Sequence, residues 1–336
     1  MSVMNGFDFE EERIRQEISR LNAKRVLLQM PEGLKPEASK LAKIVEKSGA
    51  TPLIAADPCY GACDLAVSTA ESLGADLIIH FGHAKMLKHE KIPTMYVEAR
   101  ATIKVETAVV LSIPLLKNYE KIGLATTVQH VNSVDVARKI LLRAGKTVEV
   151  GNSGGLLYPG QVIGCDFTNA KAVDVDAFLF IGGGKFHALG VALATAKPTV
   201  VADPYDGTAF SVSEEVQKIL KQRYASIKEA SCAKSFGVLI GLKPGQKHLE
   251  KALEVKDTLE RMGKIALLMA VREIQPDLIF QFPSVDAYIN TACPRISLDD
   301  ASRFKKPVLT VSEFMVLSGE SSWENLLKTG LFENYT

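Results

Sequence analysis

The stretch VDAYINTACP, Val285–Pro294, decides how this chain folds. It has an aspartate at its second position, runs through apolar and aromatic residues, and stops at a cysteine followed by a proline. Two other segments follow a similar plan: ADLIIHFGHA, Ala75–Ala84, and VDAFLFIGGG, Val175–Gly184. Short apolar runs bounded by turn residues are the pattern of strands buried on both faces in a parallel sheet. Three such copies in one chain point to internal duplication.

Working outward, each copy sits in the same order of elements. In the first third, Lys24–Met30 (KRVLLQM) reads as a strand. A helix follows from Pro36, a favourable first-turn residue, to Ser48, and Gly49 stops it. Thr51–Ala56 reads as the second strand, Asp64–Leu73 as a helix stopped by Gly74, and Ala75–Phe81 as the third strand. The middle third repeats this with Lys121–Thr126, a helix over Val134–Ala144 stopped by Gly145, Lys146–Val150 and Val175–Ile181. The last third has Phe236–Gly241, a helix over His248–Met262 stopped by Gly263, Lys264–Val271 and Val285–Thr291. Val97–Ile113 mixes strand-like and polar residues and reads as a crossing segment, and Ser213–Lys234 as a helical linker. The expected fold class is α/β, with three similar small parallel-sheet units and flanking helices packed about a pseudo-threefold axis. The expected boundaries are 1–107, 108–212 and 213–336. Ligands of such units sit beyond the carboxyl ends of the strands.

At 336 residues, the chain exceeds what one core usually supports. Hydrophobic residues at 47% and charged residues at 24% describe an ordinary soluble protein. A net charge of +1, from 40 basic and 39 acidic residues, gives no electrostatic case for nucleic-acid binding. The first residues are too acidic for a signal peptide. The longest apolar stretch, Ala108–Leu116, is broken by Ser112 and Pro114 and is far too short to span a membrane. The cytosol is therefore the expected compartment, where cysteines read as thiols or metal ligands rather than as a disulfide framework.

Three of the five cysteines, Cys59, Cys165 and Cys293, each close a strand-to-loop segment in a different third. One thiolate from each third would form a three-ligand pocket with an open fourth corner, suited to an iron–sulfur cluster. Spacings of 106 and 128 residues make no local ligand motif, so buried thiols remain the plain alternative, and zinc a competing ligand. Backbone N–H groups near Cys59 are expected to favour its thiolate. Cys63 can simply face the core, and Cys232 lies in the linker. Gly182, Gly183 and Gly184 with His187 can let backbone N–H groups approach a cofactor, or can form a tight turn. Arg295 can pair bidentately with a carboxylate or serve in a structural ion pair. His80, His83, Gln129 and His130 fall at or after strand ends and read as hydrogen-bonded structural residues. Glu32 and Asp57 can cap the helices that follow them.

The motifs together carry a resemblance that covers nearly the whole chain. MPEGL (Met30–Leu34), ADPCYGACD (Ala56–Asp64), HFGHA (His80–Ala84), GQVIGCD (Gly160–Asp166) and FIGGGKFH (Phe180–His187) occur in order. DAYINTACPRIS (Asp286–Ser297) and KPVLTVSEF (Lys306–Phe314) follow and are the most specific. The chain resembles the archaeal diphthamide-synthesis family of 2-(3-amino-3-carboxypropyl)histidine synthases. The resemblance implies a homodimer whose protomers each hold a 4Fe–4S cluster on Cys59, Cys165 and Cys293. It also implies S-adenosylmethionine as substrate at the open iron, an external electron donor, and a histidine of translation elongation factor 2 as acceptor. The loop of conventional radical enzymes, Cys-x-x-x-Cys-x-x-Cys, is absent, because residue 66 is Ala66. Quinolinate synthases share the expected triplicated architecture and three-cysteine cluster and are the nearest enzyme alternative; a zinc-bound scaffold is an alternative of another class.

Overall fold

Asp76, Asp176 and Asp286, the aspartates at the second position of the three duplicated segments, hold the start of a neighbouring strand in the same way. Asp76 Oδ2 accepts from the backbone N–H groups of Lys24 and Arg25, both at 2.8 Å. Asp176 Oδ2 accepts from Glu120 and Lys121 at 2.9 and 2.8 Å, and Asp286 Oδ2 from Lys234 and Ser235 at 2.9 and 3.0 Å. These backbone donors hold all three carboxyls below their ordinary pKa, although the side chains are exposed.

The computed structural model describes residues 3–4, 6–87 and 90–332. It divides into two compact units: Met1–Lys104 with Val128–Asn132 and Lys243–Gly245, and Val105–Thr127 with Ser133–Leu242 and Gln246–Thr336. In the first unit, a four-stranded parallel sheet runs in the order Thr51–Ile54, Arg25–Gln29, Leu77–Phe81, Thr94–Val97. Alternate residues face opposite sides, as period two requires. Val26, Leu28, Ile79 and Phe81 pack into one core with Phe9, Ile14 and Leu41, whereas Leu27 and Ile78 pack with Leu65 and Ala70 on the other face. Each such fully buried side chain contributes about 1.5–3 kcal/mol. A small antiparallel sheet, Val3–Met4, Phe7–Asp8 and Arg100–Ala101, completes the unit.

The second unit holds two sheets. One runs Thr208–Ser211, Thr199–Asp203, Ala177–Ile181, Lys121–Thr126, Thr147–Glu149, with only Thr208–Ser211 antiparallel. The other is fully parallel in the order Ile265–Val271, Ser235–Gly241, Ala287–Asn290, Val308–Thr310. All three main sheets thus place their strands in the same relative order. Phe178 and Phe180 face one core and Leu179 and Ile181 another, and Val238 and Leu239 divide in the same way. The helices Val134–Arg143 and Leu249–Arg261 end before Gly145 and Gly263, which take left-handed φ of 78° and 72°.

Several features depart from the sequence reading. The helix expected from Pro36 to Ser48 begins as a 3-10 turn, Glu32–Glu37, before the α-helix Ala38–Lys47, and the expected crossing segment Val97–Ile113 contains a helix, Glu106–Ser112. The helix expected over Asp64–Leu73 is a 3-10 turn, Ala62–Asp64, followed by a helix at Val67–Leu73. Phe186–Thr195 is a helix with no clear apolar stripe, because Ala188 and the run Gly190–Ala194 are buried on every side. The expected linker is an α-helix, Ser213–Ser231. No helix among the described residues is long and apolar enough to cross a membrane.

Candidate functional site

In the first unit, three strand ends supply the chemistry. Cys59 is buried in the loop after Thr51–Ile54, Gln29 closes Arg25–Gln29, and His80 lies in Leu77–Phe81, with His83 just beyond. The Cys59 sulfur and one ring nitrogen each of His80 and His83 lie within 4.8 Å of one another. Gln29 Oε1 stands 2.9 Å from His80 Nδ1, and His80 Nε2 stands 3.0 Å from His83 Nδ1. Burial lowers His80 to about 3 and His83 to about 4, so both rings are neutral near neutral pH. Burial and the neighbouring Asp64 push the Cys59 thiol up to about 12, outweighing the Gly61 backbone N–H. The backbone donor expected to favour a thiolate is therefore present, but a bare Cys59 stays protonated.

Around this loop, Lys243 Nζ pairs with Asp64 at 2.9 Å and lies 4.6 Å from the Tyr60 ring centroid. Burial tends to raise the Glu32 carboxyl, yet Lys35 and backbone N–H groups, including that of Cys59, bring it below its ordinary value. Gln129 Nε2 donates to the carbonyls of Gly82 and Glu98 at 2.6 and 3.2 Å. Cys63 is half-buried and packs close to Gly245.

In the second unit, Cys165 and Cys293 share a neighbour, Arg295. Cys293 lies in extended conformation immediately before the helix Pro294–Asp299. Asn290 holds that turn: Nδ2 donates to the Cys293 carbonyl at 2.7 Å and Oδ1 accepts from Ala292 N–H at 2.9 Å. Cys165 follows Gly164, whose open face meets the Phe186 ring and the Arg295 stem. Arg295 is buried, with its guanidinium carbon 3.7 Å from the Phe186 ring centroid. It pairs with Asp299 through Nε–Oδ2 at 2.6 Å and Nη2–Oδ1 at 2.9 Å, and Nη2 also donates to the Phe186 carbonyl at 2.9 Å. Burial lowers the Arg295 pKa, while Asp299, Cys293 and Cys165 act in the opposite direction. Nη1 is buried without a hydrogen-bond partner among the described residues.

Of the residues singled out in the sequence, the second unit brings Cys165, Cys293 and Arg295 together. The glycine run lies just before Phe186 in the chain: Gly184 N–H donates to Asp203 Oδ2 at 2.8 Å, and Gly183 packs against Tyr205. His187 stacks on Phe180 with centroids 6.0 Å apart. Cys59 belongs to the other unit, and Cys232 is exposed at the end of Ser213–Ser231. Sequence reasoning missed Phe186 and Asp299. The i,i+4 spacing of Arg295 and Asp299 on a helix was a readable signal for the second; nothing local marked the first.

A model of the diphthamide synthesis protein family matches residues 30–327. The chain belongs to that family. The 2-(3-amino-3-carboxypropyl)histidine synthase of Pyrococcus horikoshii is 37% identical over 93% of this chain and 91% of its own. Subunit 1 of the human synthase is 30% identical over 95% of this chain and 74% of its own. Among solved structures, Dph2 from Pyrococcus horikoshii superposes with a TM-score of 0.86 at 36% identity, covering 94% of this chain and 92% of that one. That crystal structure carries a 4Fe–4S cluster. As a member of the diphthamide synthesis family, the chain is an enzyme of the transferase class.

The residues fit such a cluster on two counts. Cys59, Cys165 and Cys293 form no disulfide and lie on loops, and thiolates are the usual ligands of iron–sulfur centres. An unpartnered, buried guanidinium nitrogen also stands in the electrostatic neighbourhood of two of them, where it would favour an anionic group.

Proposed function

We propose that this enzyme transfers the 3-amino-3-carboxypropyl group of S-adenosylmethionine to a histidine of translation elongation factor 2, the first step of diphthamide synthesis. Cys59, Cys165 and Cys293 would hold a 4Fe–4S cluster, one from each of three α/β units bounded at about 107 and 212 and related by a pseudo-threefold axis. When bound and reduced by an external donor, the cluster would supply the electron that breaks the sulfonium's S–Cγ bond, giving methylthioadenosine and a carbon radical that would add to imidazole C2. The adduct would then lose the C2 proton to solvent and return one electron to the oxidised cluster, so the transfer is redox-neutral overall. The observation that carries this reading is the shared approach of Cys165 and Cys293 to one buried guanidinium, in a chain whose relatives bear the synthase name.

The chain's own residues would bind and orient. Arg295, already neutralised by Asp299, keeps Nη1 for a carboxylate or for the charge of the cluster. In the turn Gly182–Gly184 the outer two N–H groups already donate to Ala202 and Asp203, so Gly183 N–H, with His187, would be the group offered to the cofactor, and the apolar wall of Phe186 would exclude water. A homodimer working in the cytosol completes the proposal. The edge strand Ile265–Val271, with Ile265, Leu267 and Leu268 exposed, offers a surface for a second copy.

The test is the identity of the cleaved bond. Protein reconstituted and reduced without oxygen should convert S-adenosylmethionine to methylthioadenosine, and with the elongation factor the group should appear on one histidine. Recovery of 5′-deoxyadenosine as the main product would refute the chemistry even with the cluster in place.

A further inference from the structure

Gln29 prepares His80 as a ligand. Its Nε2 donates to the Asp64 carbonyl at 2.6 Å, and its Oε1 accepts from Ala66 N–H at 3.0 Å, so the amide orientation is determined by two independent backbone partners. The oxygen end therefore faces His80 Nδ1 at 2.9 Å. An amide oxygen only accepts, so Nδ1 carries the ring proton and Nε2 presents a bare lone pair. That lone pair points toward His83, in the same pocket as the Cys59 sulfur. A histidine whose second nitrogen donates to a carbonyl oxygen is the arrangement that orients metal-bound imidazoles.

One thiol and two imidazoles form a donor set for a borderline-soft divalent ion. At zinc's bond lengths, ligand atoms stand roughly 3.3–3.7 Å apart. The three donors lie within 4.8 Å, so closure requires a shift of about 1 Å. Cys59 and His83, both on loops, can supply it, while His80 is held in the sheet.

We propose that, in the protein without a cluster, Cys59, His80 and His83 bind one zinc-class divalent ion, with the fourth position left to water. Binding expels the thiol proton of Cys59 to solvent. The site uses none of Cys165, Cys293 or Arg295. One consequence rests on the reading under Proposed function: Cys59 cannot serve both metals, so zinc loading and cluster loading exclude each other.

The test uses the full chain, freed of iron and sulfide, titrated with zinc against a chromophoric chelator and separately with cobalt(II). One equivalent is expected, with the intense visible bands of four-coordinate cobalt and a thiolate charge-transfer band. Cys59→Ser and His83→Ala should each weaken zinc binding at least about 100-fold, and Gln29→Leu about 10- to 100-fold with the cobalt bands retained. Cys165→Ala and Cys293→Ala should keep one equivalent at the parent affinity. Circular dichroism of each metal-free variant verifies folding; should Cys59→Ser not fold, His83→Ala and His83→Gln decide. Unchanged binding in the His83 variants, or its loss in Cys165→Ala or Cys293→Ala, overturns the site. Product analysis on the reconstituted enzyme is read separately, so failure of the transfer chemistry leaves this result standing.

Discussion

Replacing Arg223 by Met should be among the most damaging single changes away from the cysteines. The guanidinium is 1% exposed and makes four hydrogen bonds: Nε and Nη2 to the Glu313 carboxylate, both at 2.6 Å, Nη1 to the Ser297 carbonyl at 2.7 Å, and Nη2 to the Val308 carbonyl at 2.8 Å. Glu313 is itself fully buried and closes a capping box with Thr310, whose N–H donates to Oε2 at 2.8 Å. Methionine fills much of the arginine volume, so the cavity cost is small. What remains is a buried carboxylate stripped of its counter-ion and two carbonyls stripped of their donor. Losing one partner of such a pair costs about 3–5 kcal/mol, or roughly two to three and a half powers of ten in the folding equilibrium. The assay is urea unfolding at pH 7, with Lys256→Met as control. Lys256 and Glu260 form an exposed i,i+4 pair at 2.7 Å, worth about 0.3–0.5 kcal/mol. Adding Glu313→Gln to Arg223→Met should recover part of the loss, because the orphaned charge is removed. A loss below about 1 kcal/mol for Arg223→Met, or no recovery in the double variant, would refute the reasoning.

Cys59→Ala, Cys165→Ala and Cys293→Ala should each lower iron and sulfide after anaerobic reconstitution, whereas Cys63→Ala and Cys232→Ala should retain them; iron retained in Cys293→Ala and lost in Cys232→Ala would overturn the ligand assignment. Gly190→Ala should destabilise by about 1–3 kcal/mol, since a Cβ there meets the Phe167 ring and Arg295 Nη1, and thermal unfolding at the parent midpoint would show that the helix yields freely. Asp286→Asn should be less stable than the parent at pH 7. Because the folded carboxyl titrates below its ordinary value, its contribution is present above about pH 4 and is lost as the pH falls further. A stability gap that stays constant down to acid unfolding would contradict this.

Much of the fold was legible because its signals are local. Strand Lys121–Thr126 falls where its apolar run places it, and Gly145 and Gly263 end helices where a left-handed residue is needed. The helix Phe186–Thr195 was not legible, since a segment buried all round carries no amphipathic period. At the site, the loops of Cys59 and Cys293 just beyond strands followed from the repeats, whereas Cys165 lies well beyond Thr147–Glu149. The protonation of Cys59 did not, because it depends on how deeply the loop is buried.

By itself, the sequence determined the order of strands and helices, the aspartate that precedes each duplicated strand, and the motifs that carry the family. All of these are set by residues within a few positions of one another. Only the tertiary structure decided which side chains meet: Gln29 with His80, 51 residues on, and Arg223 with Glu313, 90 residues on. It also decided that Phe186 packs on Arg295, 109 residues away, beside two thiols. Such pairs form because parallel strands bring distant carboxyl ends to one edge, and burial then gives each polar group a specific partner or a high cost.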